Sequence, residues 1–380
     1  MSPLKKLGFL WSYSLLAVLV GGFYLHDALG VFSTWVALPF IYLVIPIMDA
    51  LFGKDPENVR REAYETVLND RYFDVLVYSF VYLQIGLLLW AGWQLLYAPL
   101  TGWQQAGLML SVGMFSGTII NVAHELGHRS SAFARFHAKM ALMTVSYMHF
   151  YIEHNRGHHV HVATPQDPAT AQRNQSLYAF WWQSVTGSFR SAWTIQKRLL
   201  RKENRAVWSL RNPMVQAVLL PVLFCIMLTI ILWMPSLGAM ASIKSVAILP
   251  VFFIVQSLVG ILLLESVNYI EHYGILRRET VPGRYERVNP LHSWNASHLI
   301  SNLVLFQLQR HSDHHAYAAR PYQVLRHFDE SPQLPFGYPL MILIALVPPL
   351  WFRLMNPRLD RWKSRACSPE EISRVVRQFA

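Results

Sequence analysis

Charge is scarce in this chain of 380 residues: 14% are Asp, Glu, Lys or Arg, against 53% hydrophobic and 13% aromatic. Soluble domains carry about 25%. Cysteine is nearly absent, with Cys225 in an apolar run and Cys367 near the end. Two distant thiols exclude a disulfide framework, an iron–sulfur cluster and a thiolate zinc site. There is no glycine-rich nucleotide fingerprint, flavin motif, internal repeat or low-complexity segment, so the chain does not collect electrons from NADH unaided. The net charge of +11 lies in loops between apolar runs, without a nucleic-acid motif. It fits basic loops retained on the cytoplasmic side and a surface for an acidic partner.

What the chain has is long charge-free stretches. Lys5 and Lys6 precede one from Gly8 to Leu25, which is long enough to span and lacks a signal-peptide cleavage site. Val31 to Met48 follows as a tight hairpin partner, ending at Asp49. Val75 to Ala123 is uncharged over about twice the length of one span and is broken at Pro99 and Gly102; Pro213 to Ser242 and Ser245 to Leu264 follow, joined near Pro235 to Gly238. The expectation is an all-α polytopic membrane protein, one domain over 1–380, with six spans at about 8–26, 31–49, 75–97, 103–123, 213–234 and 245–267. The basic regions 124–212 and 268–380 form a helical cytoplasmic cap, and Lys244 is the one basic residue outside. Pro339 to Leu350, broken at Pro348 and Pro349, reads as an interfacial or buried helix.

Histidines stand at these boundaries in a pattern that ordinary packing does not produce. His124 and His128 are at i and i+4; His154, His158 and His159 at i, i+4 and i+5; His311, His314 and His315 at i, i+3 and i+4. On an α-helix His154 and His158 share a face and His159 lies about 100° away. His272 ends the sixth apolar run, where Glu265, Asn268 and Glu271 also face a site. Nine imidazoles without thiolates select borderline metals such as iron, zinc or copper. Nine are too many for one ion, and two ions would take four or five each, leaving positions open for oxygen or water. Glu125, Glu153, Glu271 and Asp313 within the boxes, with Asp49 and Asp167 nearby, are candidates to accept the outer ring N–H of the ligands. Helix caps and salt bridges are the other uses open to them.

The strings His124–His128, Glu153–Ala169, Asn268–Gly274 and Leu308–His315 closely resemble those of the integral-membrane non-haem di-iron alkane 1-monooxygenases, within the desaturase and hydroxylase superfamily. The resemblance runs from about Asp49 to Pro357. Arg129 and His161 depart mildly from the family pattern, at positions that are not ligands. The resemblance implies two iron ions, reductive activation of O2, and conversion of an n-alkane of medium length to the primary alcohol. It also implies a rubredoxin as electron carrier, reduced by an NADH-dependent reductase, and an active site on the cytoplasmic side of a bacterial inner membrane. Rubredoxins are small and acidic, which suits a basic face; Arg190 to Arg211 and the tail from Arg358 to Arg365 are candidate contacts, and membrane anchoring is an equal use of those charges.

An alkane has no group to grip, so selection for its end rests on a narrow tunnel. Each buried CH2 contributes about 0.8 kcal/mol. Trp35, Phe40, Ile41 and Phe115 are candidate gauges of its length. The nearest rivals are a fatty-acyl desaturase and an aryl-methyl hydroxylase. A histidine-rich metal transporter would need ionisable groups midway along its spans, where this chain has none. His137 and His327 lie outside the pattern and serve as controls.

Overall fold

The computed structural model describes residues 1–234 and 246–366. The expected loop near Pro235 to Gly238, Lys244 and Cys367 lie outside the described residues. Five helices are long and apolar enough to cross a bilayer: α1 (Pro3–Tyr24), α3 (Arg71–Tyr97), α4 (Gly102–Gly127), α7 (Pro213–Trp233) and α8 (Ile248–His272). Two bent pairs also qualify, one joining His26–Phe32 to α2 (Ala37–Phe52) at 82°, the other joining α9 (Tyr338–Ala345) to α10 (Pro348–Ser364) at 119°. This is a polytopic helical membrane protein. Two further helices, α5 (Ala132–Met143) and α6 (Leu177–Lys202), lie between the spans in sequence. One short hairpin, Glu279–Val281 with Arg284–Tyr285, is the only sheet among the described residues.

The second apolar run, read as one span, is interrupted. Its middle is a wide turn over Phe40–Val44, flanked by Pro39 and Pro46, each of which lacks the N–H that a regular helix needs. The first turn of α4 is fixed by a capping box, with the Thr101 hydroxyl accepting from Gln104 N–H and the Gln104 side chain accepting from Thr101 N–H.

α4 is the central helix, buried along most of its length from Gly107 to Gly127. Small residues let α8 lie directly against it. A Cβ on Gly260 would meet the Ser116 and Gly117 backbone at 3.1–3.2 Å, and one on Gly113 or Gly117 would strike Val259 or Leu263. Close backbone approach of this kind is how membrane helices gain contact where water supplies no drive. A polar lock adds to it: Gln84 Nε2 donates to Ser116 Oγ (3.0 Å), Ser116 Oγ donates to Gln256 Oε1 (2.5 Å), and Gln256 Nε2 donates to the Thr144 carbonyl (2.9 Å). Four elements are thereby fixed in rotation, and the ends of α4 and α8 that carry His124 and His272 with them.

Replacing Gly260 with Val forces two backbones apart, and the expected cost is about 1–3 kcal/mol, read as a lower unfolding midpoint in detergent. Gly86→Ala, whose Cβ meets open space, is expected to leave the midpoint unchanged. Equal effects would contradict the close-contact reading of the α4–α8 pair.

Candidate metal centre

α4 delivers His124 in its last turn and ends at His128; α8 ends on His272. The middle box is not a regular α-helix. Over His154–His158 the backbone opens into a π-turn, and His159 N–H donates to the His154 carbonyl, five residues back. The extra residue per turn aligns His154 with His159 and sends His158 to the other side. Gly157 permits this, because a Cβ there would collide with the Glu153 carboxylate. The His311–Ala316 helix shows the i, i+4 face that its spacing implies, with His311 and His315 together and His314 turned away.

All nine histidines converge, in two groups. His124, His128, His154, His159 and His314 form one; His158, His272, His311 and His315 form the other, with the ligand nitrogens of each group within 4.8 Å of one another. In the first group Nε2 of His124 lies 2.9 Å from that of His314, His128 is 3.0 Å from His154 and 3.2 Å from His159, and His159 is 3.0 Å from His154 and 3.1 Å from His314. In the second, His272–His311 is 3.0 Å, His311–His315 is 2.8 Å and His158–His315 is 3.3 Å.

These separations carry a chemical constraint. A neutral Nε2 offers either one lone pair or one N–H, so four or five converging on one point cannot all satisfy one another. Burial holds His128 down to about 4, and burial with the neighbouring imidazoles holds His314 and His315 well below the usual imidazole value. Both effects favour the neutral form of these three rings, whose inward lone pairs suit a cation. Nitrogens about 2.1 Å from a common ion and at right angles to one another stand about 3.0 Å apart, which matches the observed spacing. Each group could hold a metal ion.

The six candidate carboxylates divide by what they touch. His158 Nδ1 donates to Asp167 Oδ2 at 3.0 Å, and Thr170 Oγ1 donates to the same oxygen at 2.6 Å. Burial alone would favour the neutral pair; each partner's charge outweighs it, raising His158 and lowering Asp167. Glu271 is turned to the inner side of the ring: its Oε2 lies 3.2 Å from Nε2 of His311, and its Oε1 accepts from Tyr338 O–H at 2.6 Å. Glu153 sits behind the π-turn, held well above the usual carboxylate range by burial and then by the charge of Asp167.

The other three serve the scaffold. Glu125 accepts from Arg129 and from Tyr322 N–H; Asp313 binds Arg320 and Arg326; Asp49 accepts from Ser301 N–H, capping the Leu299–Val304 helix. None of these three is hydrogen-bonded to a ligand imidazole, so for them the expected outer-nitrogen role gives way to caps and salt bridges. His137 bridges the Phe133 carbonyl and Tyr82 O–H, and His327 lies against Ser297 and Asp329, both outside the two groups. Sequence reasoning missed Tyr338, which no spacing connects to Glu271, 67 residues away. It also missed Tyr147 and Ser184, which hold the buried Glu265.

An apolar cavity lies beside the centre. Asn121, Thr118, Gly117 and Met114 of α4 line it with Leu263, Leu264 and Val267 of α8; Ile41, Ile45, Leu308 and Ile342 are on its other sides. At 1.5 Å per residue, Asn121 is about 4.5 Å and Met114 about 15 Å along the helix from His124. Ile41 is thus the one of the four candidate gauges on the cavity wall. Trp35 stacks on Trp103 at 4.1 Å, and Phe115 stacks on Phe80 at 5.6 Å.

Asp167→Asn is expected to weaken metal retention about 10–100-fold in chelator competition, because the outer nitrogen of His158 then faces a neutral partner. His137→Ala should leave retention unchanged. Equal retention in Asp167→Asn would contradict the orienting role given to Asp167.

Residues 101–345 match the family model described as fatty acid desaturase. Alkane 1-monooxygenase 1 of Alcanivorax borkumensis is 39% identical over 375 residues, 97% of this chain and 89% of that protein. Alkane 1-monooxygenase of Pseudomonas putida is 41% identical over 337 residues, 88% of this chain and 80% of that protein. More distant is the xylene/toluene monooxygenase hydroxylase component XylM of Pseudomonas putida, 29% identical over 270 residues, 70% of this chain and 68% of that protein. With relatives near 40% identity along almost its whole length and a histidine-lined centre at the ends of its spans, the chain belongs to the alkane 1-monooxygenases of the fatty acid desaturase family.

Proposed function

We propose that this protein hydroxylates the terminal methyl of n-alkanes of medium length, using O2 and electrons from a reduced rubredoxin, at two non-haem irons held by the nine histidines. The observation that carries the reading is the apolar cavity along α4 and α8, whose wall at Asn121 lies three residues from His124, next to the two imidazole groups. When bound, the irons supply reductive activation of O2, hydrogen removal from the methyl group and delivery of the hydroxyl. In balance, one alkane, one O2, two electrons and two protons give one primary alcohol and one water.

The chain's own residues supply binding and orientation. Leu263, Leu264, Val267, Ile41 and Ile45 offer no hydrogen-bonding group, so an alkane loses nothing against them on leaving lipid. Asn121, the polar residue of α4 nearest His124 on the wall, is held by donating to the Leu305 carbonyl at 2.7 Å. A linear chain lying along α4 therefore presents its end first. Asp167 places negative charge beside the four-histidine group, offsetting part of the charge that a metal brings into a buried site, and Glu271 sets a carboxyl oxygen 3.2 Å from His311 Nε2. The large excess of exposed arginine and lysine suits an acidic carrier on the histidine side, taken to be the cytoplasmic face of a bacterial inner membrane.

The aryl-methyl reading has support from the XylM likeness, and substrate competition separates the two. Purified protein supplied with octane, O2, NADH, a rubredoxin and its reductase should form 1-octanol by gas chromatography, with iron bound. Product from a methylarene or an acyl thioester but none from octane would move the assignment to those substrates; bound zinc with no oxidation would remove the oxygenase reading. A second outcome follows from the cavity: Met114→Phe should shift preference to shorter alkanes and Met114→Ala to longer ones. An unchanged chain-length profile in both would contradict this cavity as the substrate tunnel.

A further inference from the structure

The last turns of α6 and the loop to α7 reach none of the nine histidines, and their surface is unusual. The middle of α6 packs inward: Ser184 meets Glu265, Ser191 approaches Gly157, and Gly187 meets Pro168. Beyond Ser191 the helix runs on to Lys202, about 16 Å farther from those contacts. Tyr178, Trp182 and Phe189 form an exposed stripe on one face of α6, Trp182 being 75% exposed. After the helix, Trp208 and Leu210 are 81% and 74% exposed, and the span α7 begins at Pro213. Because α7 starts three residues after Leu210, these side chains stand at the membrane surface, where tryptophan and tyrosine concentrate.

The cations sit at the same level. Trp193, Thr194, Lys197, Arg198, Arg201 and Lys202 line a shallow groove, and Arg205 and Arg211 line a second one beside it. Trp193 and Trp208 pack against each other at 5.2 Å, joining the two segments. Six cations lie between Lys197 and Arg211 against one acid, Glu203, which pairs with Arg205 at 3.0 Å. Among the described residues, no carboxylate pairs with Lys197, Arg198, Arg201, Lys202 or Arg211, whereas Arg129, Arg173, Arg278, Arg310, Arg320 and Arg326 each have one.

We propose that the last turns of α6 and the loop to α7 form a headgroup site for anionic phospholipid in the leaflet on the histidine side. Arginine and lysine there receive the phosphates, and Trp193, Trp208 and Leu210 lie among the glycerol and upper acyl groups. Basic residues held at a bilayer surface beside exposed aromatics match phosphodiester lipids in both charge and polarity. An exposed tryptophan and leucine at the depth where a span begins meet lipid before a soluble partner can reach them. The site would anchor the base of α7 and, through α6, the π-turn box.

The test uses the full chain in detergent, with dioleoyl phosphatidylglycerol, tetraoleoyl cardiolipin or dioleoyl phosphatidylcholine added, read by native mass spectrometry of retained lipid and by thermal midpoint. Phosphatidylglycerol and cardiolipin should be retained over phosphatidylcholine and should raise the midpoint. Joint replacement Lys197→Gln, Arg198→Gln, Arg201→Gln and Lys202→Gln should cut retention at least about fivefold; a variant matched in charge, Arg60→Gln, Arg61→Gln, Arg284→Gln and Arg287→Gln, should not. Trp193→Ala with Trp208→Ala should also lower retention, without any change of charge. Absence of headgroup preference, or equal retention in the groove variant and the matched one, would overturn the proposal. So would the same midpoint shift with inorganic phosphate alone, which marks a free-anion site. Slower reduction by rubredoxin in the groove variant with lipid retention intact would assign the surface to the carrier and overturn it too.

Discussion

Converging lone pairs are the constraint on which the rest of this structure depends. Nine imidazoles point inward with their nitrogens about 3 Å apart, an arrangement that leaves ring nitrogens without partners unless a cation occupies each centre. Everything that holds those rings in place must therefore be stiff before a metal arrives, or become stiff on binding it. The backbone contact at Gly260 and the Gln84–Ser116–Gln256 lock supply that stiffness at the membrane end. On the polar side, Arg310, one residue before His311, donates to the carbonyls of Leu325, Asp55 and Glu57. That clamp ties the third box to the loop after α2, so the site is braced from both directions.

The same packing separates chemistry from lipid. α4 and α8 bring their small residues together over their middle and carry the metal-facing histidines at their ends, so the space left beside them is apolar and lies within a turn of His124. A polar cluster at the foot of an apolar bundle is costly to build. Asp167, Glu271, Glu265 and Glu153 recover part of that cost by setting buried negative charge or hydrogen-bonding capacity around the two groups.

Much of the site was legible in the sequence because metal-ligand spacing on helices is a local signal. His124 with His128 and His311 with His315 behave as their i, i+4 spacing implies. The partition at the middle box was not legible: three histidines at i, i+4 and i+5 read equally as an α-helical face, and only the opened turn at Gly157 decides that His158 parts from His154. The carboxylates show the other limit. Glu125 and Asp313 lie inside the boxes yet serve Arg129, Arg320 and Arg326, because on the folded helices their side chains lie within reach of guanidinium groups and not of a ligand's outer nitrogen. Glu271 faces inward through Tyr338, a contact that depends on how α9 packs against α8. In the fold, the charge-free runs mark the membrane helices, but neither the wide turn over Phe40–Val44, flanked by two prolines, nor the 82° bend ahead of Ala37 is written in the absence of charge.

The central claim is that the π-turn divides the histidines five and four between two metal centres. A cryo-EM map of metal-loaded protein, with the ions identified by X-ray fluorescence, tests it directly. The account predicts one ion enclosed by His124, His128, His154, His159 and His314, and a second enclosed by His158, His272, His311 and His315. A single ion, or one ion bound by both His154 and His158, would contradict it.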